Sequence, residues 1–412
     1  MILISILFFS LVFILVVNLD QANIDTKAAT NFKDKNLYQI SDRLFDDRET
    51  EFFSNKDGFD ILSNFNNKLS SSSIFVTYTA NFQPISVADF KGDNTFNPNY
   101  QSDLSEPNTF ELDNKVYFDV LSLQVNDSVF ELNNLQLLKG RVFSQKEYFY
   151  NNNEKVVPII LGSDYVDIYK LDEIIDILIY NKKYKAKVIG FFSTSQKVMT
   201  SNDPEIILDK YMILPAILFN EPISNYLPQE LEEQVFFRAN LFAVANSLLL
   251  TKDSPLELRK KVDTISEQTG FKDYEIIGAN GLGINTIVKM TKANMNMIYI
   301  AIAVIFCLAI LTYIYILHLK IKKNVDTYIV LLISGANMKY IKGNLSIEFL
   351  LINIIGIFVP LILFLFISMN SWIFIVNFLF VSVVFLLIII FVIKIMIDRV
   401  FKKVNIVQHL KG

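Results

Sequence analysis

Cysteine and histidine are almost absent from this sequence. Its 412 residues include one cysteine, Cys307, which lies in an apolar run, and two histidines, His318 and His409, which lie near the C-terminal end. The long segment 18–296 therefore contains no residue that could form a disulfide, a Cys- or His-based nucleophile or an ordinary zinc site. We expect its fold to rest on a hydrophobic core, and we predict no catalytic residue and no metal site in the chain.

Helix-breaking residues are also missing from two critical stretches. No glycine occurs before Gly58 and no proline before Pro84, and residues 284–323 contain neither. Nothing therefore ends a helix that leaves the apolar segment at either place. We predict two helices that continue out of a membrane as a stalk. At about 1.5 Å per residue, the helix over 284–323 would be roughly 60 Å long.

Long apolar runs are what the sequence does have, with 52% hydrophobic residues. Four of them, 2–17, 297–319, 347–368 and 372–393, approach or exceed the roughly 20 residues that cross a bilayer core. Glu348 is the only charged residue in these runs. The first run lacks the basic start and the cleavage site of a signal peptide, so we predict a retained helix.

Basic residues near the apolar runs predict the orientation in a cell membrane. They are concentrated in the loop after the second run and in the tail after the fourth: Lys320, Lys322, Lys323, Lys339, Lys342, Lys394, Arg399, Lys402, Lys403 and Lys411. Because positive loops stay in the cytoplasm, the loop and both termini are predicted to be cytoplasmic in a multi-pass protein. Residues 18–296 are then extracytoplasmic. This segment has more acidic than basic residues, which disfavours nucleic-acid binding.

The outer segment has mixed α and β patterns. An amphipathic helix is predicted over 57–71, loops over 81–114, an edge strand over 211–219 because of Pro215, and a βαβ-like unit over 241–278.

The predicted fold class is a membrane protein of four transmembrane α-helices with a large α+β extracytoplasmic domain on a helical stalk between the first two. The predicted boundaries are transmembrane helix 1 at 1–18, the outer domain with the start of the stalk at 19–283, the stalk continuous with transmembrane helix 2 at 284–323, the cytoplasmic loop at 320–345, transmembrane helices 3 and 4 at 346–368 and 372–397, and the tail at 398–412.

Three motifs in the outer segment, LKGRVF with Glu147, VVPIILG and KYKAKVIGFF, resemble the outer domain of MacB/FtsX-like ABC transporter permeases. In that family a Gly-Arg-x-Phe turn precedes a Val/Ile strand that ends in Gly, and a strand pair then closes on Val-x-Gly. The resemblance places Gly140, Arg141 and Phe143 in the turn, Gly162 after the strand and Gly190 at the end of the last strand.

The stretch YIVLLISGANMKYIKGNLSIEFLLINIIG is similar to the cytoplasmic loop and third span of the same family. Gly335, Ala336 and Asn337 occupy the Gly-Ala-Ser position, and Glu348 and Gly356 match the Glu and Gly of the span. The resemblance implies a loop that receives a push from an ATPase, with a docking helix over 325–332. The predicted coupling residues are Val325, Tyr328, Ile329, Leu332, Gly335, Ala336, Asn337 and Tyr340.

The resemblance also implies partners. These are an ABC ATPase subunit, a second copy of the chain or a related permease, membrane lipid and a possible extracytoplasmic adaptor. ATP and Mg would bind the ATPase subunit, so we expect no cofactor and no enzyme activity in this chain, which also lacks a Walker A motif. The chain departs from the family at Thr327 and Leu332, where an acid and a base are common, and no basic amphipathic helix precedes the first span.

The implied function is a bacterial permease that works by mechanotransmission, and an antimicrobial peptide or other amphiphile is the predicted cargo, for export or bacteriocin immunity. The alternatives are a regulator of FtsX type that controls a cell-wall hydrolase, a stand-alone receptor, and a surface enzyme with paired carboxylates.

Several motif residues also have plainer structural interpretations. Gly335 fits a helix C-cap, Glu348 a residue that reaches the membrane surface, Arg141 a salt bridge, and Gly278, Gly281 and Gly283 a turn.

Overall fold

A computed structural model of the protein describes residues 2–32, 35–100, 109–152, 154, 156–180, 182–203, 205–278, 297, 300, 304, 307, 308, 310–316, 318–367 and 372–403. The chain divides into two compact units. An α+β unit comprises Lys27–Met290, and a helical unit comprises Met1–Thr26 with Thr291–Gly412.

The first helix and the α+β unit supply most of the regular elements. The α-helices are α1 (Ile2–Phe32), α2 (Asp47–Ser54), α3 (Lys56–Ser70), α4 (Asp127–Asn133), α5 (Leu231–Ala245) and α6 (Pro255–Thr269). The strands are β1 (Asn36–Asp42), β2 (Val76–Tyr78), β3 (Ala80–Phe82), β4 (Ile85–Ala88), β5 (Thr109–Leu112), β6 (Lys115–Val120), β7 (Ser122–Val125), β8 (Leu137–Gly140), β9 (Val156–Leu161), β10 (Ile174–Ile179), β11 (Lys182–Phe192), β12 (Lys197–Val198), β13 (Ile206–Ile207), β14 (Met212–Pro215), β15 (Leu248–Thr251) and β16 (Tyr274–Gly278).

Two main sheets organise the α+β unit. The larger has ten strands, in the order β3-β7-β14-β9-β11-β10-β4-β6-β5, with β8 also paired to β11. The smaller has the order β16-β1-β15-β2. Most neighbours are antiparallel, but β9 is parallel to β11 and β14 is parallel to β7. The α+β class predicted for this segment is therefore observed in the described residues.

The smaller sheet contains the βαβ-like unit predicted near its end. β15 and β16 both pair antiparallel with β1, which lies between them, and α6 connects them along the chain. Ser254 and Glu257 form a capping box at the start of α6, and Gly270 adopts a left-handed conformation at its end (φ 82°). The predicted strand over 241–250 is shorter in the structure, because residues 241–245 belong to α5.

The core of the α+β unit contains the amphipathic helix predicted over 57–71. Phe59, Leu62, Phe65 and Leu69 repeat on one side of α3 and are all fully buried. α3 is fixed further by Asn66, whose Nδ2 donates to the Leu241 carbonyl at 2.8 Å. Two further aromatic residues, Tyr165 and Tyr169, belong to the same cluster.

Two predictions for the outer segment are wrong. Residues 81–114 are not only loops, because β4 lies within them between β10 and β6. Pro215 does not mark an edge strand, since β14 lies between β7 and β9. Proline is tolerated there because β14 pairs with β9 only at Met212 and Ile213, so at Pro215 no partner on that side requires an N–H group.

The helical unit contains two long apolar helices, Met338–Ile367 and Trp372–Lys403. Within the described residues, Lys339–Ile362 and Ile375–Val392 are long and apolar enough to cross a membrane, and the apolar part of α1, Ile2–Ile14, is shorter. This is consistent with membrane insertion. α1 continues past the first apolar run without a break, as predicted. The helix Met338–Ile367 begins earlier than the predicted 346 and contains Pro360.

The second predicted span is only partly described. The described positions between 297 and 323 are helical. The start of the predicted stalk, 284–296, lies outside the described residues, as do Gly281 and Gly283, while Gly278 is the last residue of β16. Four spans therefore stay a prediction.

Candidate coupling loop and the contacts that hold it

The candidate loop contains one helix, Val325–Ile333, which we call the loop helix. It ends at a left-handed glycine, Gly335, with φ 92°. The N–H of Gly335 donates to the Leu332 carbonyl at 3.1 Å, and the N–H of Ala336 donates to the Leu331 carbonyl at 2.9 Å. These two bonds form a Schellman motif, which satisfies carbonyls that a helix end otherwise leaves open.

The chain then turns directly into the next helix. Ser334 Oγ donates to the Val330 carbonyl at 2.7 Å, on the last turn of the loop helix. Asn337 begins the following helix, since its Oδ1 accepts the N–H of Lys339 at 3.0 Å and its carbonyl accepts the N–H of Tyr340 at 2.9 Å. Both ends of this short connection are therefore capped, which fixes the angle between the two helices.

Five of the eight predicted coupling residues lie on the side of the loop helix that faces the helical unit. Ile329 is buried, with 6% of its surface exposed. Tyr328, Leu332 and Ala336 pack against the core of the unit, and Val325 is half-buried. Their spacing, i, i+3, i+4 and i+7, is the spacing of a buried helical stripe. Gly335, Asn337 and Tyr340 are exposed.

The opposite side of the loop helix is apolar and exposed. Val330 is 63% exposed, Ile333 is 57% exposed and Leu331 is 41% exposed. Tyr340, at the start of the next helix, is also 63% exposed. Val330, Leu331 and Ile333 are not among the coupling residues predicted from the sequence. The signal that could have found them is their position between the members of the buried stripe.

Two ion pairs hold the segments on either side of the loop helix. Lys320 pairs with Glu348, and its Nζ also lies 4.9 Å from the centroid of the Phe349 ring. Lys342 pairs with Asp398 of the helix Trp372–Lys403. The Glu348 side chain is 52% exposed, so the structure places this predicted polar residue at the surface in a pair with Lys320.

A buried polar cluster joins three helical segments inside the helical unit. Ser5 Oγ donates to Asn353 Oδ1 at 3.1 Å. Asn353 Nδ2 in turn donates to Tyr313 Oη at 2.6 Å and to the Phe349 carbonyl at 2.7 Å. Buried side-chain hydrogen bonds of this kind hold helices together in apolar surroundings. Gly356, a predicted family-motif residue, lies against Ser5 in the same region.

The motif residues of the outer segment come together around β8 and β11. Gly140 pairs with Gly190 across these strands, and the Arg141 N–H donates to the Ile189 carbonyl at 3.0 Å. The next motif residue, Phe143, is buried. Gly162 lies apart from them, after β9, where its N–H donates to the Tyr211 carbonyl at 2.9 Å.

Arg141 makes a two-pronged ion pair with Glu147. Its two terminal nitrogens, Nη1 and Nη2, each lie 2.7 Å from an oxygen of the Glu147 carboxylate. Glu147 also accepts a hydrogen bond from the N–H of Ser144 at 2.6 Å. Burial raises the pKa of the Glu147 carboxyl, but the hydrogen bonds from Arg141 and Ser144 and the charge of Arg141 outweigh burial, so the pKa lies below its ordinary value. Arg141 thus forms a salt bridge within a turn, which is the structural interpretation given for this residue from the sequence.

Comparison with known proteins gives matches among solved structures. The periplasmic region of MacB from Actinobacillus actinomycetemcomitans is 13% identical, with a TM-score of 0.28, and the match covers 62% of this chain and 92% of that one. The extracellular domain of the noncanonic ABC-type transporter YknZ from Gram-positive bacteria is 12% identical, with a TM-score of 0.30, and the match covers 59% of this chain and 100% of that one. No protein-family model and no curated protein matches the sequence.

MacB belongs to the group of proteins that the sequence motifs resemble, and both matches are to outer regions, periplasmic in MacB and extracellular in YknZ. At these identities and TM-scores, the function has to be argued from the residues of this chain.

Proposed function

We propose that this chain is the permease subunit of an ABC transporter, and that a separate ATPase chain drives it through the loop helix. The observation that carries the proposal is the exposed apolar side of that helix, formed by Val330, Leu331 and Ile333 together with Tyr340. We call these four residues the docking face. An apolar surface of this kind on a short capped helix is suited to burial in a groove of a partner protein.

The contacts around the docking face support a mechanical role. The Schellman motif at Gly335 and the cap at Asn337 fix the loop helix relative to the helix Met338–Ile367. The inward stripe, including Ile329, attaches it to the core of the helical unit. A push on the docking face would therefore move the attached helices instead of deforming the loop.

The proposed assembly follows from the charge pattern and the apolar helices. The chain would cross the cell membrane four times, with the loop helix and both termini in the cytoplasm. It would act as a dimer, with itself or with a related permease, and ATP and Mg would bind the ATPase subunits. The α+β unit would lie outside, where an adaptor could join it. An antimicrobial peptide or another amphiphile is the proposed cargo.

Copurification with an ABC ATPase tests the docking face directly. The full chain is coexpressed with an ABC ATPase that copurifies with it, and Val330 and Ile333 are then both replaced by Asp. Because each Asp would carry its charge into an apolar contact, we expect at least a tenfold loss of copurified ATPase.

Val142→Asp is the matched control, since Val142 is 45% exposed and lies in the α+β unit. This variant should copurify with the ATPase as the parent does. The elution profile of each permease variant in detergent checks that the protein still folds. Undiminished copurification of the folded Val330→Asp, Ile333→Asp variant would contradict the proposal.

A further inference from the structure

The α+β unit contains a partly open cavity of about 360 Å³ that the proposed coupling does not use. It is lined by the end of α3, by β2 and Thr79, by the start of α4, by residues 145–149 and by the segment after β14. Ligand pockets in proteins range from about 300 to 1,000 Å³, so this cavity has room for a small ligand. Its polar lining includes Asn67, Asn126, Asp127, Gln145, Tyr148 and Asn220.

The lining excludes several classes of ligand. Among the described residues, the lining contains no Lys and no Arg and its one charged residue is Asp127, so these residues offer no favourable charge to a phosphate or another anion. Most of the lining side chains carry amides or hydroxyls. A purely apolar ligand would leave without hydrogen bonds those of the groups that have no protein partner, such as the Tyr148 hydroxyl, which is costly. A neutral ligand with several hydroxyl or amide groups fits better.

Several polar groups of the cavity are held in fixed positions. Gln145 Nε2 donates to Asp127 Oδ2 at 3.0 Å, and the N–H of Ser128 donates to Asp127 Oδ1 at 2.8 Å. Asn126 is fixed to the end of β2, since its Nδ2 donates to the Thr77 carbonyl at 2.7 Å and its Oδ1 accepts the N–H of Thr79 at 3.2 Å. Carboxylate and amide groups fixed in this way can receive neighbouring hydroxyls of a ligand with little loss of conformational entropy.

Tyr148 adds a group that the protein itself leaves available. Its ring packs in the core between Phe143 and the cavity, while its hydroxyl makes no hydrogen bond to any described residue. Burial, together with the nearby charges of Asp127 and Glu147, raises the pKa of Tyr148 well above its ordinary value. The hydroxyl therefore stays protonated at neutral pH and can donate to a ligand.

We propose that this cavity binds a neutral saccharide of one or two rings through Asp127, Gln145 and Tyr148. A saccharide presents adjacent hydroxyls to the Asp127–Gln145 pair and another oxygen to the Tyr148 hydroxyl, and it needs no cationic partner. Binding at this cavity requires no ATPase, so it is tested separately from the proposed transport.

The test uses the full chain in lipid nanodiscs and N,N′-diacetylchitobiose as the probe. Binding is measured by saturation-transfer difference NMR, and the affinity by equilibrium dialysis. We expect saturable binding to the parent protein. Tyr148→Phe, which removes one hydroxyl and keeps the ring, should weaken it about fivefold to tenfold, and Asp127→Asn at least tenfold, as expected for loss of a neutral and of a charged hydrogen bond.

Tyr165→Phe is the matched control, because the Tyr165 hydroxyl is buried without a partner among the described residues and does not line the cavity. It should bind the probe as the parent does. The proposal is overturned by absence of saturable binding to the parent, by equal affinity in Tyr148→Phe and the parent, or by an equal loss in Tyr165→Phe. Binding of a neutral tripeptide amide at this cavity in place of the saccharide would also overturn it.

Discussion

Gly356 lies against Ser5 so closely that a β-carbon on Gly356 would come within 3.0 Å of both the Oγ and the Cβ of Ser5. Gly343, in the same helix, has no atom of the described residues within 4 Å of the corresponding position. The two glycines thus share a secondary structure and differ in surroundings. The close approach places the helix Met338–Ile367 against α1 beside the hydrogen bond between Ser5 and Asn353.

Gly356→Ala should therefore lower the thermal stability of the detergent-solubilised protein. An alanine in a helix is normally favourable by about 0.5–1 kcal/mol over glycine, but forced overpacking costs about 1–3 kcal/mol. Gly343→Ala has only the favourable effect and should raise the melting temperature slightly. We therefore expect the melting temperature to fall in Gly356→Ala and to rise in Gly343→Ala.

Adding Ser5→Gly to Gly356→Ala removes the two closest atoms, so the double variant should lose less stability than the sum of the losses of the two single variants. If Gly356→Ala and Gly343→Ala change the melting temperature alike, α1 and the helix Met338–Ile367 are not packed as described.

A second prediction separates the two interpretations of Gly335. Its left-handed conformation costs most residues about 1–2 kcal/mol, whereas asparagine tolerates it better. If Gly335 acts only as the cap of the loop helix, Gly335→Asn should keep ATPase coupling and Gly335→Ala should reduce it. ATP hydrolysis by the copurified complex is the readout, and Gly343→Ala is the control. An equal loss of ATP hydrolysis in Gly335→Asn and Gly335→Ala would instead indicate that a partner contacts Gly335 so closely that no side chain fits there.

The loop shows what the sequence could and could not reveal. The helix, its glycine stop and its position between two apolar runs follow from local patterns. The stripe Val325, Tyr328, Ile329 and Leu332 is also visible in the sequence, but the spacing of these predicted coupling residues is at the same time typical of a buried face. The docking face has no periodic pattern of its own, so the sequence marks its residues only by their position between members of the stripe, and burial in the structure separates the two sides.

The same contrast holds in the α+β unit. The motif strands β8, β9 and β11 were recognisable from local residues, yet nothing local predicts that Gly140 pairs with Gly190. Long-range pairing depends on the whole sheet, which is also why Pro215 was misjudged as an edge residue. The saccharide cavity combines side chains from segments as far apart as Asn67 and Asn220, so no sequence motif could indicate it.

A third prediction concerns acid sensitivity at the Arg141–Glu147 turn. Because the pKa of Glu147 is lowered in the folded protein, the pair stabilises the fold above the ordinary carboxyl pKa of 4.5, and this stabilisation is lost as the pH falls through the lowered value. Glu147→Gln keeps a side chain suited to the capping box but loses the charge. It should be less stable than the parent at neutral pH, by under about 1 kcal/mol since Arg141 is half-exposed.

The difference in melting temperature between Glu147→Gln and the parent should shrink at pH values below the ordinary carboxyl pKa. Glu267→Gln, an exposed glutamate on α6, is the control and should show little difference at neutral pH. A gap that stays constant with pH would contradict a charged role for Glu147.

A fourth prediction concerns Lys182, whose ammonium group sits among aromatic rings. Its Nζ lies 4.8 Å from the centroid of Phe236, 5.0 Å from that of Phe237 and 5.2 Å from that of Tyr150, whose hydroxyl it contacts at 2.9 Å. Cation–π contacts are worth about 0.5–2 kcal/mol, more when desolvated. Lys182→Met keeps the apolar stem and removes the charge, so it isolates this contribution.

Lys182→Met should lower the melting temperature of the α+β unit within the full chain by several degrees, since about 1 kcal/mol corresponds to roughly 2–4 °C in a domain of this size. Lys185→Met is the matched control on the same strand, because its side chain is 61% exposed and its Nζ lies 3.8 Å from Asp176, a pair of little energetic value. Equal shifts in melting temperature for Lys182→Met and Lys185→Met would contradict the prediction. They would mean that the methionine side chain packs against the rings as well as the lysine does, so the positive charge contributes nothing to stability.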